Sequence, residues 1–301
     1  MNNSKVLKSN LFFLLAAAIW GFAFVAQCSA ADKVNIFLLI FTRYVLGAVA
    51  LIPVILVFER KKVNNFSSKK TLFYGSISGT ILFIASALQQ WGINLDINAG
   101  KAGFITGIYT FLVPIFCFLF FKKKTGVNVI IGAILALVGL YLLSVQNGFS
   151  NISLSDVVLF LGSIFWSFHI ISIDRFVSFV SPIKFSCVQF FVCGMWGLIF
   201  TLLTVDMSFA QMAESIAGAG SAILYMGVCS SGIAYTCQVL GQRDADPTYS
   251  AIILSLESVF AAIGGALFGT DESMTLRAYL GCAIIFMGII FSQIQIKKQN
   301  S

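Results

Sequence analysis

The chain has 301 residues, of which 58% are hydrophobic and only 10% charged, with a mean hydropathy of +0.94. A soluble domain carries about 25% charged residues, so this composition cannot clothe a water-soluble surface and excludes a soluble globular enzyme. The net charge of +7 is spread over short stretches between apolar runs, the pattern of membrane topology and not of nucleic-acid binding.

A spanning helix needs about 20 apolar residues. Runs of that length occur near 10–28, 35–58, 72–93, 102–121, 127–145, 155–173, 183–204, 217–240, 247–268 and 278–296. They are apolar on all sides, which fits helices in lipid and not the alternating strands of a barrel. The first run follows Lys5 and Lys8 and precedes the small residues Ser29–Ala31, like a signal peptide. Nine further runs follow, so it is expected to stay as the first span. Six of the seven cysteines fall inside spans (Cys117, Cys187, Cys193, Cys229, Cys237 and Cys282) without metal-ligand spacing, and read as small packing residues.

With the N-terminus placed in the cytoplasm, fifteen of the 19 Lys and Arg residues fall in inner segments: Lys5, Lys8, Arg60, Lys61, Lys62, Lys69, Lys70, Lys122, Lys123, Lys124, Arg175, Lys184, Arg243, Lys297 and Lys298. Only Lys33, Lys101 and Arg277 fall outside, and Arg43 lies within a span. This positive-inside bias puts both termini in the cytoplasm. The inner segment near 59–71 is too short to fold alone.

The second half repeats the first at an offset near 147. Trp20 matches Trp166, Gly47 matches Gly194, Gln89 and Gly92 match Gln238 and Gly241, and Gly132 and Gly139 match Gly281 and Gly288. The units run over 10–145 and 155–296. Each holds five spans, an odd number, so the second enters the membrane from the opposite side. The predicted fold is an all-α membrane protein of ten transmembrane helices in two inverted five-helix repeats, a common plan for secondary transporters. Lys122–Lys124 after the fourth span and Asp271 with Glu272 after the ninth fit the inversion.

Several stretches resemble the drug/metabolite transporter superfamily, specifically its ten-span proteins with two EamA domains. They are Ala16–Phe22, Thr42-Arg43-Tyr44, Gly103–Tyr109 followed by Leu112-Val113-Pro114, Leu254–Phe260, and Gly281 through Gly288. The likeness covers nearly the whole chain. Ser258 stands where many relatives have proline, and Phe268–Glu272 is a looser version of the turn that usually ends the ninth span. The resemblance implies a plasma-membrane exporter or exchanger of small metabolites. It also implies a central cavity lined by the first, third, fourth, sixth, eighth and ninth spans, with the fifth and tenth as scaffold. Gly132, Ala136 and Gly139 form a small-residue stripe suited to that scaffold role.

Intramembrane polar groups are candidate sites. Glu257 lies near mid-depth of the ninth span and would share a helix face with Ser250, Ala261 and Gly264. A carboxyl in apolar surroundings is able to carry a proton near neutral pH, which suits a proton site or a partner for a substrate amine. Arg43 is placed to pair with Glu257, to bind an anionic group or to clamp backbone carbonyls, and the clamp is favoured because the second span is not expected to line the cavity centrally. His169, the one histidine, shares a face with Trp166, Ile170 and Ile173, and suits a gate or proton step. Trp20, Phe24 and Gln27 share a face of the first span. Gln89, Gln90 and Gln238 can bind a zwitterion or bridge helices. Thr106, Tyr109, Thr110 and Pro114 line the fourth span, where Pro114 is expected to kink the helix.

No catalytic constellation, P-loop or His-Glu-x-x-His site is present in the sequence. The expected partners are a small-molecule substrate and the lipid bilayer, with proton or exchange coupling and with no cofactor, metal or nucleic acid. The leading expectation is a transporter that exports or exchanges amino acids or similar small metabolites in the inner (plasma) membrane. The alternative is a lipid-linked-sugar flippase of the same fold.

Overall fold

A computed structural model describes residues 3–58, 67–144, 152–268 and 275–293. Arg60–Lys62, Asp271, Glu272, Lys297 and Lys298, used above for topology, lie outside the described residues, as do the ends of both repeat units at 145 and 296.

The described residues are helical almost throughout. The first half contains α1 (Asn3–Ala30), α2 (Ile36–Phe58), α3 (Ser68–Leu95), α4 (Ala99–Gly107), α5 (Tyr109–Phe121) and α6 (Val127–Ser144). The second contains α7 (Leu154–Phe176), α8 (Pro182–Thr204), α9 (Phe209–Gly218), α10 (Gly220–Leu224), ten residues of π-helix (Tyr225–Ala234), α11 (Tyr235–Gln242), α12 (Pro247–Leu254), α13 (Leu256–Phe268) and α14 (Leu276–Gln293).

Eight helical stretches are long and apolar enough to cross a membrane, and two shorter apolar ones run over Val127–Leu143 and Leu276–Ser292. Eight of the ten expected spans thus appear at full length, and the shorter α6 and α14 stand where the fifth and tenth were expected. At 1.5 Å per residue, a helix of 17 residues covers about 26 Å, a little under the ~30 Å hydrocarbon core.

Two expected continuous helices are broken. The fourth span divides into α4 and α5 at Ile108, and the ninth into α12 and α13 at Ser255, separated by the repeat offset. Each break is a turn tightened to i→i+3 bonds: Phe111 N–H donates to Ile108 O (2.9 Å), and Ser258 N–H to Ser255 O (3.1 Å). Ser255 Oγ also donates to Ile252 O, which competes with the helix ladder. The expected kink at Pro114 does not divide the helix, since Pro114 lies inside α5. Ser250 and Glu257, expected on one helix face, belong to α12 and α13.

Helix directions follow from close contacts. Gly132 meets Gly288 O and Gly139 meets Gly281 O, so α6 and α14 are antiparallel. Gly194 meets Val45, and Gly197 meets Phe41, so α2 and α8 are antiparallel as well. Both pairs join equivalent helices of the two halves, and an inverted repeat requires those to run oppositely. At the α6/α14 contact a Cβ on Gly139 would lie 2.6 Å from Gly281 O, and one on Gly281 2.5 Å from Gly139 O. Only glycine permits this approach. The large exposed hydrophobics, among them Leu56, Phe73, Phe120, Leu203 and Leu267, face outward, as the lipid-facing side of a bundle does.

Candidate functional site

The central cavity is built by both halves. Trp20, Ala23, Phe24 and Gln27 come from α1, Arg43 from α2, Gln89 from α3, and Thr106 and Tyr109 from α4 and α5. Trp166 and Ile170 of α7, Ser230 of the π-helix, Tyr235 and Gln238 of α11, Leu254 and Glu257 complete the wall.

The helix breaks position the acid. Glu257 is in the first turn of α13, directly after the break at Ser255. Tyr109 opens α5 directly after the break at Ile108. Their side chains come close enough to interact, but not as an aligned hydrogen bond: both Glu257 Oε1 and Tyr109 Oη are buried without a partner among the described residues. Ser258 donates from Oγ to Gly103 O at 2.6 Å and ties α13 to α4. Gly21 presses α1 onto the same turn, its missing Cβ pointing at Phe260 Cβ and lying 2.7 Å from Glu257 O. Glu257 thus rests on a helix held from two sides.

Hydrogen bonds orient the aromatic walls. Trp166 Nε1 donates to Gln89 Oε1 at 2.6 Å. Gln89 Nε2 donates onward to Gln27 Oε1 at 3.0 Å, which links α7, α3 and α1. Trp20 Nε1 donates to Ser230 O at 3.3 Å. The same carbonyl accepts the Tyr235 N–H in the π-helix register. That bulge aims a backbone oxygen at the site, a frequent use of π-turns. Tyr235 packs edge-on to Trp20, with centroids 4.6 Å apart, and stacks near Trp166 at 6.2 Å.

Seven of the ten candidate residues line the cavity: Trp20, Phe24, Gln89, Tyr109, Trp166, Gln238 and Glu257. The other three lie in helix contacts outside it. Gln90 donates to Gln27 O and Asn94 Oδ1, and Thr110 donates to Ala251 O on α12. His169 is fully buried, with Nε2 bonded to Gln189 Oε1 at 3.0 Å. It turns edge-on to Trp166 and Tyr235, and so stands behind the wall. Arg43, read from sequence as a clamp away from the cavity, is on its wall. Tyr235 and Ser230 escaped the sequence reading. The signal available was the run Ser230-Ser231-Gly232, polar for a span.

Ion pairs tie both ends of the bundle. At the start of α4, Lys101 Nζ lies 2.8 Å from Asp96 Oδ2 and 2.8 Å from Asp156 Oδ1 at the start of α7. The Asp156 contact is an ion pair and not an aligned hydrogen bond. Past the end of α5, at the opposite end, Lys123 pairs with Asp246 at 2.9 Å, and Lys5 of α1 with Asp244 at 3.7 Å. Asp96 and Asp244 hold equivalent places in the two repeats. So do Asn98 and Asp246, whose side chains cap α4 and α12. Burial lowers the pKa of Lys123, but its hydrogen bond to Asp246 and that residue's charge outweigh the burial, leaving it raised above the ordinary lysine value.

The water-accessible volume of the cavity is about 40 Å³. One water needs roughly 10–15 Å³ on this measure, so the site has room for about three waters.

Residues 7–145 and 153–293 each match the EamA-like transporter family. A protein of Archaeoglobus fulgidus named as an uncharacterized transporter is 24% identical over 292 residues, covering 97% of this chain and 88% of that one. A crystal structure that is 18% identical superimposes with a TM-score of 0.75 over 95% of this chain and 96% of that chain, which supports the fold alone. Two family matches spanning nearly the whole chain, laid over eight spanning helices, make this a multi-pass membrane protein that belongs to the EamA-like transporter family.

Proposed function

We propose that the protein is a secondary transporter that exports or exchanges amino acids or similar small metabolites across the inner (plasma) membrane. In this reading it has ten spans, both termini lie in the cytoplasm, and two inverted halves alternate access to the central site. One observation carries the proposal: a cavity walled by helices of both halves that holds a buried carboxylate, Glu257, with one oxygen that has no hydrogen-bond partner among the described residues.

Room for about three waters is too little for a metabolite, so cargo must widen the site. The ion pairs at the two ends tie the starts of α1 and α7 to the opposite halves, at Asp244 just before α12 and at Lys101 in the first turn of α4. Breaking one set while keeping the other opens one side at a time. Glu257 is suited to receive a cargo ammonium or a proton. The other ionisable groups on the cavity wall are Tyr109 of α5, Arg43 of α2 and Tyr235 of α11.

The test is counterflow in proteoliposomes with a labelled amino-acid panel and a lipid-flipping control, for the wild type and Glu257→Gln. The expected result is saturable exchange of one amino-acid class, weakened or made flat with pH in the variant. Normal exchange by Glu257→Gln at every pH would refute its role. Lipid movement without amino-acid exchange would select the flippase instead.

A further inference from the structure

Resting on the transporter reading above, we infer that Arg43 receives the carboxylate of the cargo while Glu257 receives its ammonium, so that the cavity is a two-pole site for a zwitterion. Arg43 is 4% exposed and lines the cavity. Its surroundings are neutral. Nη2 donates to Tyr44 Oη at 2.9 Å and Nη1 to the thioether sulfur of Met226 at 3.6 Å. Nε has no partner among the described residues, and the guanidinium lies 4.5 Å from the Tyr44 ring centroid. None of the ion pairs among the described residues includes Arg43.

A guanidinium offers five donors and is never neutral in a protein. Buried without a counter-ion, it is strongly destabilising. A structural clamp would spend those donors on backbone carbonyls or on a fixed acid. Here they meet a phenol and a sulfur, a weak acceptor. Among the described residues Glu257 is the one acid on the wall, and its carboxylate oxygens do not come within 4 Å of the Arg43 guanidinium nitrogens. The two opposite charges are therefore held apart across a common space. A molecule bearing one anionic and one cationic group satisfies both at once, and the planar fork of Arg43 suits a carboxylate. An amine without a carboxylate leaves Arg43 unpaired, and an acid without an amine leaves Glu257 unpaired. Trp20, Trp166 and Tyr235 remain for the side chain of the cargo.

The rival account is structural. Arg43 holds Tyr44 Oη, which also meets Ser86 Oγ at 2.7 Å and Tyr235 Oη at 3.2 Å, so Arg43 could act by fixing the Tyr235 ring. Equilibrium binding to the purified full chain in detergent separates the two. The probes are leucine, phenylalanine and the carboxamide of each, which lacks the carboxylate but keeps the amine. Wild type is expected to prefer the amino acid by about 10- to 100-fold, the range for one charge-assisted bond. Arg43→Gln is expected to erase that preference while leaving carboxamide affinity within about twofold, and Arg43→Lys to keep part of it. Tyr44→Phe is expected to weaken both probes alike. Equal losses for both probes in Arg43→Gln, or no loss, would overturn the inference. So would a wild type that binds amino acid and carboxamide equally, a result that needs no variant to fold. If the wild type binds no amino acid and exchanges none in liposomes, the cargo reading itself fails and takes this inference with it.

Discussion

The sharpest stability test lies at the α6/α14 contact. A Cβ on Gly139 would sit 2.6 Å from Gly281 O, where ordinary van der Waals contact begins at 3.4 Å. The obstacle is backbone, so no side chain can swing away, and the helices must part by about 0.8 Å. A gap of 0.5–1 Å forfeits about a quarter to a half of the dispersion energy at a contact, and small-to-large changes in packed sites cost about 1–3 kcal/mol. Gly139→Ala is therefore expected to destabilise by about 1–3 kcal/mol. Gly281→Ala should cost a similar amount. The double variant is expected to fall short of the sum by about 0.5 kcal/mol or more, because helices already parted admit the second methyl. Gly218→Ala, with nothing within 4 Å of its missing Cβ, is the control and should stay within about 0.5 kcal/mol of wild type. Unfolding of purified protein in a denaturing detergent series measures all four. Neither α6 nor α14 contributes to the cavity wall, so exchange per folded molecule is expected to persist. A cost for Gly139→Ala no larger than that of Gly218→Ala would refute the close-contact reasoning.

Other outcomes follow from the end clusters and the walls. Lys101→Ala removes both ion pairs at one end, worth up to about 1 kcal/mol for partly exposed groups. Labelling of a cysteine placed at Gln27 by an impermeant maleimide should then rise by about fivefold, and an unchanged rate would show that Lys101 does not hold that end closed. At the other end, Lys123→Ala should have a constant effect from neutral pH to about pH 9. The folded-state pKa of Lys123 is raised above 10.5, so its contribution is fully present below 10.5 and is lost only as pH rises through the higher, folded value. An effect already fading at neutral pH would contradict the pair. Trp166→Phe strips the donor from Gln89 Oε1 and is expected to lower stability by about 1–3 kcal/mol, read by thermal unfolding in detergent.

Much of the architecture was legible before any coordinates. Runs of apolar residues report spans because lipid leaves the backbone no partner but itself, and that local rule acts on sequence alone. The repeat was legible for a similar reason: Trp20 and Trp166, and the four glycines of α6 and α14, are matched residues that occupy matched places. Polar residues inside spans also reported themselves, since Glu257, Gln89 and Gln238 are costly in lipid wherever they point. What tertiary structure alone decided was direction and partnership. Gln90 follows Gln89 in sequence, yet a rotation of about 100° per residue turns it to a helix contact while Gln89 faces the cavity. His169 is three residues from Trp166, but the packing of α8 placed Gln189 against it and drew it behind the wall. Pro114 advertised a kink, yet the helix divides at Ile108, and the equivalent division at Ser255 has no proline near it to report it. Arg43 announces a charge in a span, and only the assembled helices determine that its neighbours are neutral and that the acid across the cavity stays out of reach.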